Sequence, residues 1–314
     1  MSITKEVSSI SKNRSGNREV AAIRAHVPGE DVDRLYRWLL SSFDTDDIYI
    51  VVDQTGGKKQ PWSKDYNIIA FDELVLDQLG LYIPKGKVGW QCGDYFYIVL
   101  SHFVSFDFAW LIEPDVVANF PFSTIRNTGA NKDFDVISSM LRKRDSTWNW
   151  YESMKRHGYE DIYSVFYPLT RLSQRLVSLI HQERKNMAAR VNQGLLGVFP
   201  NDEAVTATVA IANDLSRLNL KELFPDIFTH FLWGSKWLYP DVLDRFNSEK
   251  IVHPALSRTQ FAGYLKKSIS SQNSKIDISS LGASLWSVSP ENYAFWHDFV
   301  MNELSFKIKS SSIR

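Results

Sequence analysis

Two carboxylates close an apolar run near the middle of the chain. Phe108–Ile112 is wholly apolar, and Glu113-Pro114-Asp115 follows it directly. Side chains two residues apart on an extended backbone point to the same side, so the two acids can offer hard oxygen ligands together to Mg²⁺ or Mn²⁺. Alternatively, they only solvate a strand end or cap the next element. Burial of two charges without a cation is costly, which favours the metal site.

The elements around these acids follow a βαβ pattern. Between residues 19 and 117, short β-rich runs alternate with amphipathic stretches, which indicates an α/β fold with a mainly parallel central sheet flanked by helices. The pattern predicts strands over 20–27, 48–52, 66–71 and 108–112, and helices over 31–43, 71–79 and 93–106. Ligands of such sheets lie beyond the carboxyl ends of the strands, so polar residues that follow strands are the first candidates.

The second half of the chain is harder to interpret. It predicts strands over 135–141 and 162–167, a strand or loop over 251–254, helices over 171–184, 202–215 and 290–304, and a loop over 268–280. The polar residues 1–18 are expected to be a flexible segment and 306–314 a solvated tail. Residues 19–305 are then expected to form a single domain.

Composition excludes several classes. The chain has 314 residues with 36 basic and 36 acidic side chains, so no global charge draws it to nucleic acid. Cys92 is the single cysteine, which excludes an internal disulfide and fits a reducing compartment, with the cytoplasm as the default. No signal-peptide core or membrane span is evident. P-loop, G-x-G-x-x-G and G-x-S-x-G motifs are absent from the sequence, which argues against NTPases, dinucleotide enzymes and α/β-hydrolases.

The segment around the acids resembles a known family. The runs Gly89-Trp90-Gln91-Cys92-Gly93-Asp94-Tyr95 and residues 106–116 look like the tyrosine-aspartate-tyrosine, tryptophan, acid-x-aspartate-valine segment of bacterial and fungal GT-A glycosyltransferases. The resemblance implies a GT-A-like fold that binds a nucleotide-diphosphate sugar and Mn²⁺ or Mg²⁺. It also implies a nucleotide-sugar-binding half over 19–117 and an acceptor half over 118–305.

The resemblance assigns metal ligands residue by residue. Asp115 would bind the ion directly, and Glu113 would contact the ribose or reach the ion through water. This sequence departs from the commonest triplet in having Glu first, which leaves the role of Glu113 open. His253, within Ile251-Val252-His253-Pro254, looks like the C-terminal histidine that completes such sites. A lone histidine is more often structural.

A transferase that inverts configuration needs a general base at the acceptor hydroxyl, usually a carboxylate that opens a helix. Asn201-Asp202-Glu203 precedes an apolar helix and fits that description, with Asp202 slightly preferred over Glu203. Acids also favour helix N-termini because of the helix dipole, so a purely structural role is equally open.

Other residues are candidates for the donor. His26 and Pro28 follow the first strand and would line the nucleobase, and Asp53 follows the second and would accept hydrogen bonds from base or ribose. Asp53 is also a typical turn former before Thr55-Gly56-Gly57. Asp94 is either a helix cap or a contact of the donor sugar.

Basic and aromatic residues are candidates for the leaving group and the acceptor. Arg171 either neutralises the diphosphate or pairs with a nearby acid. An acceptor platform is predicted from Arg142-Lys143-Arg144, Trp148, Trp150 and Tyr151. Triplets of lysine and arginine are often only a solvated face and tryptophans often fill cores, so that alternative stays open.

Two functions from different classes remain. The first is a metal-dependent glycosyltransferase whose acceptor is a glycan or lipid-linked glycan. The resemblance alone implies surface polysaccharide or lipopolysaccharide synthesis at the inner face of the membrane, with peripheral membrane contact. The second is a non-catalytic carbohydrate-binding or scaffold protein with a degenerate GT-A fold, because fold does not establish activity.

Overall fold

The strands predicted before residue 117 lie side by side in one seven-stranded sheet.

The protein is described by a computed structural model, which covers residues 17–57, 59–86, 88–130, 133–194, 199–234, 236–270 and 278–311. The strands are β1 (Glu19–Ala25), β2 (Ile48–Asp53), β3 (Asn67–Phe71), β4 (Phe108–Ile112), β5 (Val117–Ala118), β6 (Val136–Ser138), β7 (Leu141–Lys143), β8 (Tyr163–Val165), β9 (Leu169–Ser173), β10 (Arg217–Asn219), β11 (His230–Phe231), β12 (Trp237–Leu238), β13 (Ile251–His253) and β14 (Ala255–Leu256). The helices are α1 (Glu30–Leu39), α2 (Glu73–Gln78), α3 (Val88–Gln91), α4 (Asp94–Phe103), α5 (Ser123–Ala130), α6 (Tyr151–Arg156), α7 (Gln174–Asn192), α8 (Asp202–Ala212), α9 (Leu220–Leu223), α10 (Arg258–Ser270), α11 (Ile278–Trp286) and α12 (Pro290–Ser311).

The central sheet is mainly parallel. Its strand order is β10-β6-β9-β4-β1-β2-β3. Strand β1 pairs in parallel with β2 and β4, β2 with β3, and β6 with β10, whereas β9 is antiparallel to both β4 and β6. The predicted α/β class, with a mainly parallel central sheet flanked by helices, is confirmed.

Alternation along the central strands buries both faces of the sheet. In β1, Val20 and Ala22 belong to a core that also includes residues of α4 and α7, whereas Ala21 and Ile23 belong to a second core with residues of α1. Parallel strands covered on both faces read as continuous apolar runs, as β4 does. Because β4 is buried throughout, the first polar side chains after it lie at the edge of the sheet.

Short strands bring the C-terminal part of the chain to that edge. Strand β13 pairs antiparallel with β5, which follows β4 in sequence, and parallel with β11. Strand β12 pairs with β14, and helices α10 and α12 pack around a separate apolar cluster that includes Phe261, Leu265 and Trp296. Which residues meet beyond β4 therefore depends on this strand pairing and cannot be predicted from chain order alone.

Three predicted elements differ from the structure. Residues 169–173, partly predicted as the start of a helix, form β9, and the helix α7 begins at Gln174. The predicted loop over 268–280 includes the end of α10 and the start of α11, and residues 271–277 lie outside the described residues. Helix α12 continues to Ser311, through part of the predicted tail.

The N-terminal segment is described only at its end. Residues 1–16 lie outside the described residues, and the backbone N–H of Arg18 donates to the Asp107 carboxylate at 2.7 Å, which ties Arg18 to the sheet. Among the described helices, none combines the length and apolarity that a membrane crossing requires.

Candidate functional site

A wide cleft lies where β1, β2 and β4 end. Its volume is about 2040 Å³, which exceeds the roughly 300–1,000 Å³ of typical small-molecule sites and leaves room for two substrates. The lining residues come from both halves of the chain and include Arg24, Glu113, Asp115, Glu203 and His253. The cleft therefore occupies the position where open α/β sheets bind ligands.

Glu113 and Asp115 enter this cleft from a tight turn. The backbone N–H of Glu113 donates to the carbonyl of Pro168 at 2.9 Å, which continues the ladder between β4 and β9 for one residue. The N–H of Val116 then donates to the Glu113 carbonyl at 3.1 Å, which closes the turn. Both carboxylates remain partly accessible, at 25% and 31% of their side-chain surface. A ligand in the cleft can therefore reach them.

His253 reaches the same place through strand pairing. The register of β13 with β5 sets Val252 opposite Val117, and the N–H of Ala255 donates to the Asp115 carbonyl at 2.8 Å. These backbone bonds place His253 Nε2 3.5 Å from Asp115 Oδ1 and 3.8 Å from a Glu113 oxygen. The structure thus brings together the three predicted metal ligands.

These three side chains fit a divalent cation. One ligand atom from each lies within 4.8 Å of the others, and two carboxylates with one imidazole suit Mn²⁺ or Mg²⁺. Asp115 Oδ1 is buried and accepts no hydrogen bond from the described residues, and the charges of His253 and Lys236 compensate it only in part. Burial and the neighbouring Glu113 raise the pKa of Asp115. A bound cation would supply the missing compensation.

Arg24 forms an ion pair with one carboxylate oxygen of Glu113, Oε1. Its Nη1 lies 2.7 Å from Glu113 Oε1 and 3.7 Å from Asp202 Oδ2, and Nη2 donates to the Gly89 carbonyl. Burial opposes ionisation of Glu113, but Arg24 and His253 outweigh it and lower the pKa of this carboxyl to about 2. The sequence prediction missed Arg24, although a lone arginine at the end of an apolar strand was a usable signal.

Asp202 and Glu203 lie in the first turn of α8, in the same cleft. Asp202 accepts the N–H of Gly93 at 2.7 Å and the N–H of Glu203 at 2.8 Å, so both of its oxygens have backbone partners. Burial and the nearby Asp94 raise the pKa of Asp202 to about 7, against the opposing effect of Arg24. A Cβ atom at Gly93 would overlap Asp202 Oδ2, so only glycine allows this approach.

Glu203 is held more loosely than Asp202. Among the described residues its carboxylate has one hydrogen bond, from Asn201 Nδ2 at 3.5 Å. Burial and the charge of Asp202 raise the pKa of Glu203 to about 8. A carboxyl group with a pKa near neutrality can take or release a proton at working pH. Asn201 itself caps the helix by accepting the N–H of Ala204 at 3.1 Å.

The predicted nucleoside residues lie at one end of the cleft. His26 and Pro28 line it together with Asp53. His26 Nδ1 lies 3.6 Å from Asp53 Oδ2, and the other oxygen of Asp53 accepts the N–H of Thr55 at 2.8 Å. Asp53 thus forms the turn that the sequence offered as an alternative, and its second oxygen remains directed at His26.

Two predicted donor residues lie away from the cleft. Asp94 is fully buried and binds Arg184 with Oδ2 to Nε at 2.5 Å and Oδ1 to Nη2 at 2.9 Å. Arg171 is buried in β9, where its Nε donates to Glu19 at 2.7 Å. These correct the predicted contacts with donor sugar and diphosphate, because each charge is already neutralised inside the fold. Lys236 instead lines the cleft, where Asp115 and Glu113 act on its ammonium group.

The predicted acceptor platform is only partly assembled. Arg142, Arg144, Trp148 and Trp150 line the cleft, as does Trp90. Lys143 pairs instead with Asp161 at 2.5 Å, and Tyr151 packs against the core. Four of the six residues predicted for the platform therefore line the cleft.

Comparisons with known proteins add little. No family model matches the sequence, and no curated protein matches it. Among solved structures, the chain is similar to mouse xyloside xylosyltransferase 1 in its apo form, with a TM-score of 0.41 and 9% identity. That match covers 75% of this chain and 97% of the mouse chain. Assignment of the site therefore depends on the geometry of the cleft and not on this likeness.

Proposed function

We propose that the protein is a metal-dependent glycosyltransferase, which moves a sugar from a nucleotide-diphosphate sugar to a glycan acceptor. The observation that carries this proposal is the convergence of Glu113, Asp115 and His253 at the carboxyl end of the sheet, with ligand atoms within 4.8 Å of one another. This set of donors suits a cation that binds phosphate oxygens. The width of the cleft supports a reaction between two substrates.

Glu113, Asp115 and His253 would hold Mn²⁺ or Mg²⁺. When bound, the ion supplies positive charge that stabilises a departing diphosphate. Because Arg24 is paired with Glu113 Oε1, the other carboxylate oxygen, Oε2, is the one directed toward His253. Glu113 would then serve as a ligand directly or through water.

Other side chains would bind the donor. His26, Pro28 and Asp53 would line the nucleoside, since they follow β1 and β2 at the edge of the sheet. Lys236 would take the diphosphate role predicted for Arg171, because its ammonium group lies in the cleft close enough to Asp115 for their charges to interact. A cation fixed beside a leaving group stabilises charge that develops in the transition state.

Glu203 is the better candidate for the general base. Asp202 accepts a backbone N–H group with each oxygen and lies beside Arg24, so its carboxylate is held in place. The Glu203 carboxylate lines the same cleft and has one weak hydrogen bond within the described part of the chain. We therefore assign proton acceptance from the acceptor hydroxyl to the ionised form of Glu203, which prevails above its pKa of about 8, and the positioning of Arg24 to Asp202.

The proposal extends to the biological setting and the domain. Residues 19–305 would act as one catalytic domain, and the acceptor would be a glycan under construction for a surface polysaccharide or lipopolysaccharide. The notable alternative is a carbohydrate-binding protein without turnover. It differs from the enzyme in one measurable respect, since it needs neither a cation nor a nucleotide.

A thermal shift experiment tests the proposal. The protein is heated with Mn²⁺ and each of the common nucleoside diphosphates, and with Mn²⁺ alone. A matching diphosphate at about 100 times its Kd should stabilise the fold by about 2.7 kcal/mol. Asp115→Asn should abolish this shift and also donor turnover, whereas Glu160→Gln, on the exposed surface, should change neither. No shift with any diphosphate would favour the carbohydrate-binding alternative.

A further inference from the structure

Two arginines in and just after β7, Arg142 and Arg144, line one side of the cleft, which we call the wall. Arg142 lies in β7 opposite Ser164, and the backbone of Arg144 continues the pairing by donating to the Ile162 carbonyl at 2.8 Å. Alternate residues of a strand face the same side, so Arg142 and Arg144 line the cleft while Lys143 faces away and pairs with Asp161. The strand therefore presents two positive charges to whatever lies in the cleft.

Neither arginine forms an ion pair with a carboxylate of the described residues. Within the described part of the chain, no acid lies within 4.0 Å of either guanidinium, whereas Arg24, Arg34 and Arg258 in the same cleft each have one. Burial and the nearby charge of Arg142 lower the pKa of Arg144. Two like charges side by side are a cost, which the carboxylates of Glu203 and Asp145 offset only in part at Arg144. An anion between them would remove that cost.

Aromatic faces lie beside the arginines. The Arg144 guanidinium stacks over Trp148 at 4.7 Å and donates to Ser164 Oγ at 2.6 Å, which fixes its direction. Trp150 and Trp90 have ring centroids 6.0 Å apart, and Trp90 is 62% exposed. An exposed tryptophan offers a flat apolar face, which suits the C–H face of a sugar ring.

From these contacts we propose that this wall is a subsite for an anionic glycan acceptor, in which Arg142 and Arg144 bind a carboxylate or phosphate group and the tryptophans stack on the adjoining sugar. The inference rests on the proposed function and deepens it, because it names the class of acceptor. Guanidinium groups bind both kinds of anion through paired N–H donors.

The subsite lies close to the proposed base. Arg144 and Glu203 line the same cleft, and each is near enough to shift the pKa of the other. An acceptor whose anion binds Arg142 and Arg144 would thus place a neighbouring hydroxyl toward Glu203. On this inference, the anion belongs to the sugar unit next to the one that carries the reacting hydroxyl.

Calorimetry with three matched disaccharides tests the inference. The probes are a neutral disaccharide, its glucuronate-containing counterpart and its phosphorylated counterpart. We expect at least one anionic probe to bind about tenfold more tightly than the neutral probe, with an advantage that falls as salt increases. The stronger of the two anionic probes identifies the source as a uronate or a phosphate. Equal binding of all three probes, or binding of none, overturns the inference.

Variants locate the effect on the wall. The double change Arg142→Ala and Arg144→Ala should remove the preference for the anionic probe, and Arg142→Ala alone, at an exposed position, should weaken it without a risk to folding. Lys143→Ala is the matched control on the opposite side of the same strand and should preserve the preference. An unchanged preference in the double variant contradicts the inference.

A separate readout distinguishes failure of the subsite from failure of the proposed function. Stabilisation of the wild-type protein by Mn²⁺ with a nucleoside diphosphate reports on the metal site alone. If that stabilisation is present while the anionic probe shows no advantage, the acceptor inference is wrong and the glycosyltransferase proposal stands. If stabilisation is absent while the preference is present, the wall binds anionic glycans without the proposed enzyme activity.

Discussion

Arg24 Nη1 lies 2.7 Å from Glu113 Oε1, so one ligand of the candidate metal site is already held by a buried cation. The same guanidinium lies 3.7 Å from Asp202 Oδ2, which links the acidic turn after β4 to the first turn of α8. The arrangement has two opposing effects. Arg24 stabilises the acids in the free protein, and its charge opposes a second cation beside them.

Arg24→Gln should therefore separate stability from metal affinity. Loss of the guanidinium leaves Glu113 and Asp202 without their counterion, and we expect the free energy of unfolding to fall by about 3 kcal/mol. Affinity for Mn²⁺ alone should rise by about tenfold, or about 1.4 kcal/mol, because a repelling charge is removed. Urea denaturation and Mn²⁺ titration calorimetry measure the two effects. Weaker Mn²⁺ binding would show instead that Arg24 is needed to position Glu113.

His253→Gln should weaken Mn²⁺ binding. The change removes the nitrogen ligand that His253 brings to the cluster while it keeps a polar side chain of similar reach. We expect a loss of at least about a hundredfold in affinity, or about 2.7 kcal/mol, in titration calorimetry. His297→Gln, at an exposed position in α12, is the control and should bind Mn²⁺ as the wild type does. Equal affinity in both variants would remove His253 from the site.

The acids of α8 should make stability fall with rising pH. The folded protein keeps protons on Asp202 up to a pKa of about 7 and on Glu203 up to about 8, whereas the unfolded chain loses both near pH 4. The folded state binds more protons over this window, so the free energy of unfolding decreases as pH rises through it.

A melting series between pH 5 and 8.5 measures this effect. The double change Asp202→Asn and Glu203→Gln removes both titrations. The melting temperature of the wild type should therefore fall relative to that of the variant as the pH rises. Buried His157, with its pKa lowered to about 4, titrates equally in both proteins and cancels. If the melting temperatures of the wild type and the variant change with pH in the same way, neither acid keeps its proton.

Asp94→Asn should destabilise the fold without an effect on ligands. Asp94 and Arg184 are both fully buried, so the variant leaves Arg184 as an uncompensated charge at a cost of about 3–5 kcal/mol. Urea denaturation measures that loss. Replacement of both partners, with Asp94→Asn and Arg184→Met, should recover part of it. Unchanged stability together with weaker nucleotide binding would return Asp94 to the donor-binding role that the sequence suggested.

The sequence predicted the first half of the fold better than the second. Strand β4 is a continuous apolar run and the strands before it are mostly apolar, and turn residues bound them, so their type and order could be predicted locally. Strand β9 was missed because an antiparallel strand inserted between β4 and β6 leads directly into α7, and Arg171 then resembled a residue of that helix. Local pattern does not encode such an insertion.

Prediction of the site divided along similar lines. Glu113 and Asp115 were evident because charge follows a buried strand without a break. Asp94 was misplaced because its partner Arg184 lies far along the chain, and burial of that pair depends on how α4 packs against α7. Lys236 was missed because its proximity to the acids exists only in the folded chain, whereas Arg24 had a local signal, a lone arginine at the end of an apolar strand.

The pairing of β13 with β5 has a consequence for biosynthesis. The three proposed ligands come from two distant parts of the chain, and His253 can join the others only after the segment that contains it has left the ribosome. A nascent chain that ends before β13 would expose two clustered acids with no imidazole to complete them. Capture of an ion at the proposed site would then be among the last events of maturation, because it requires the docked C-terminal part.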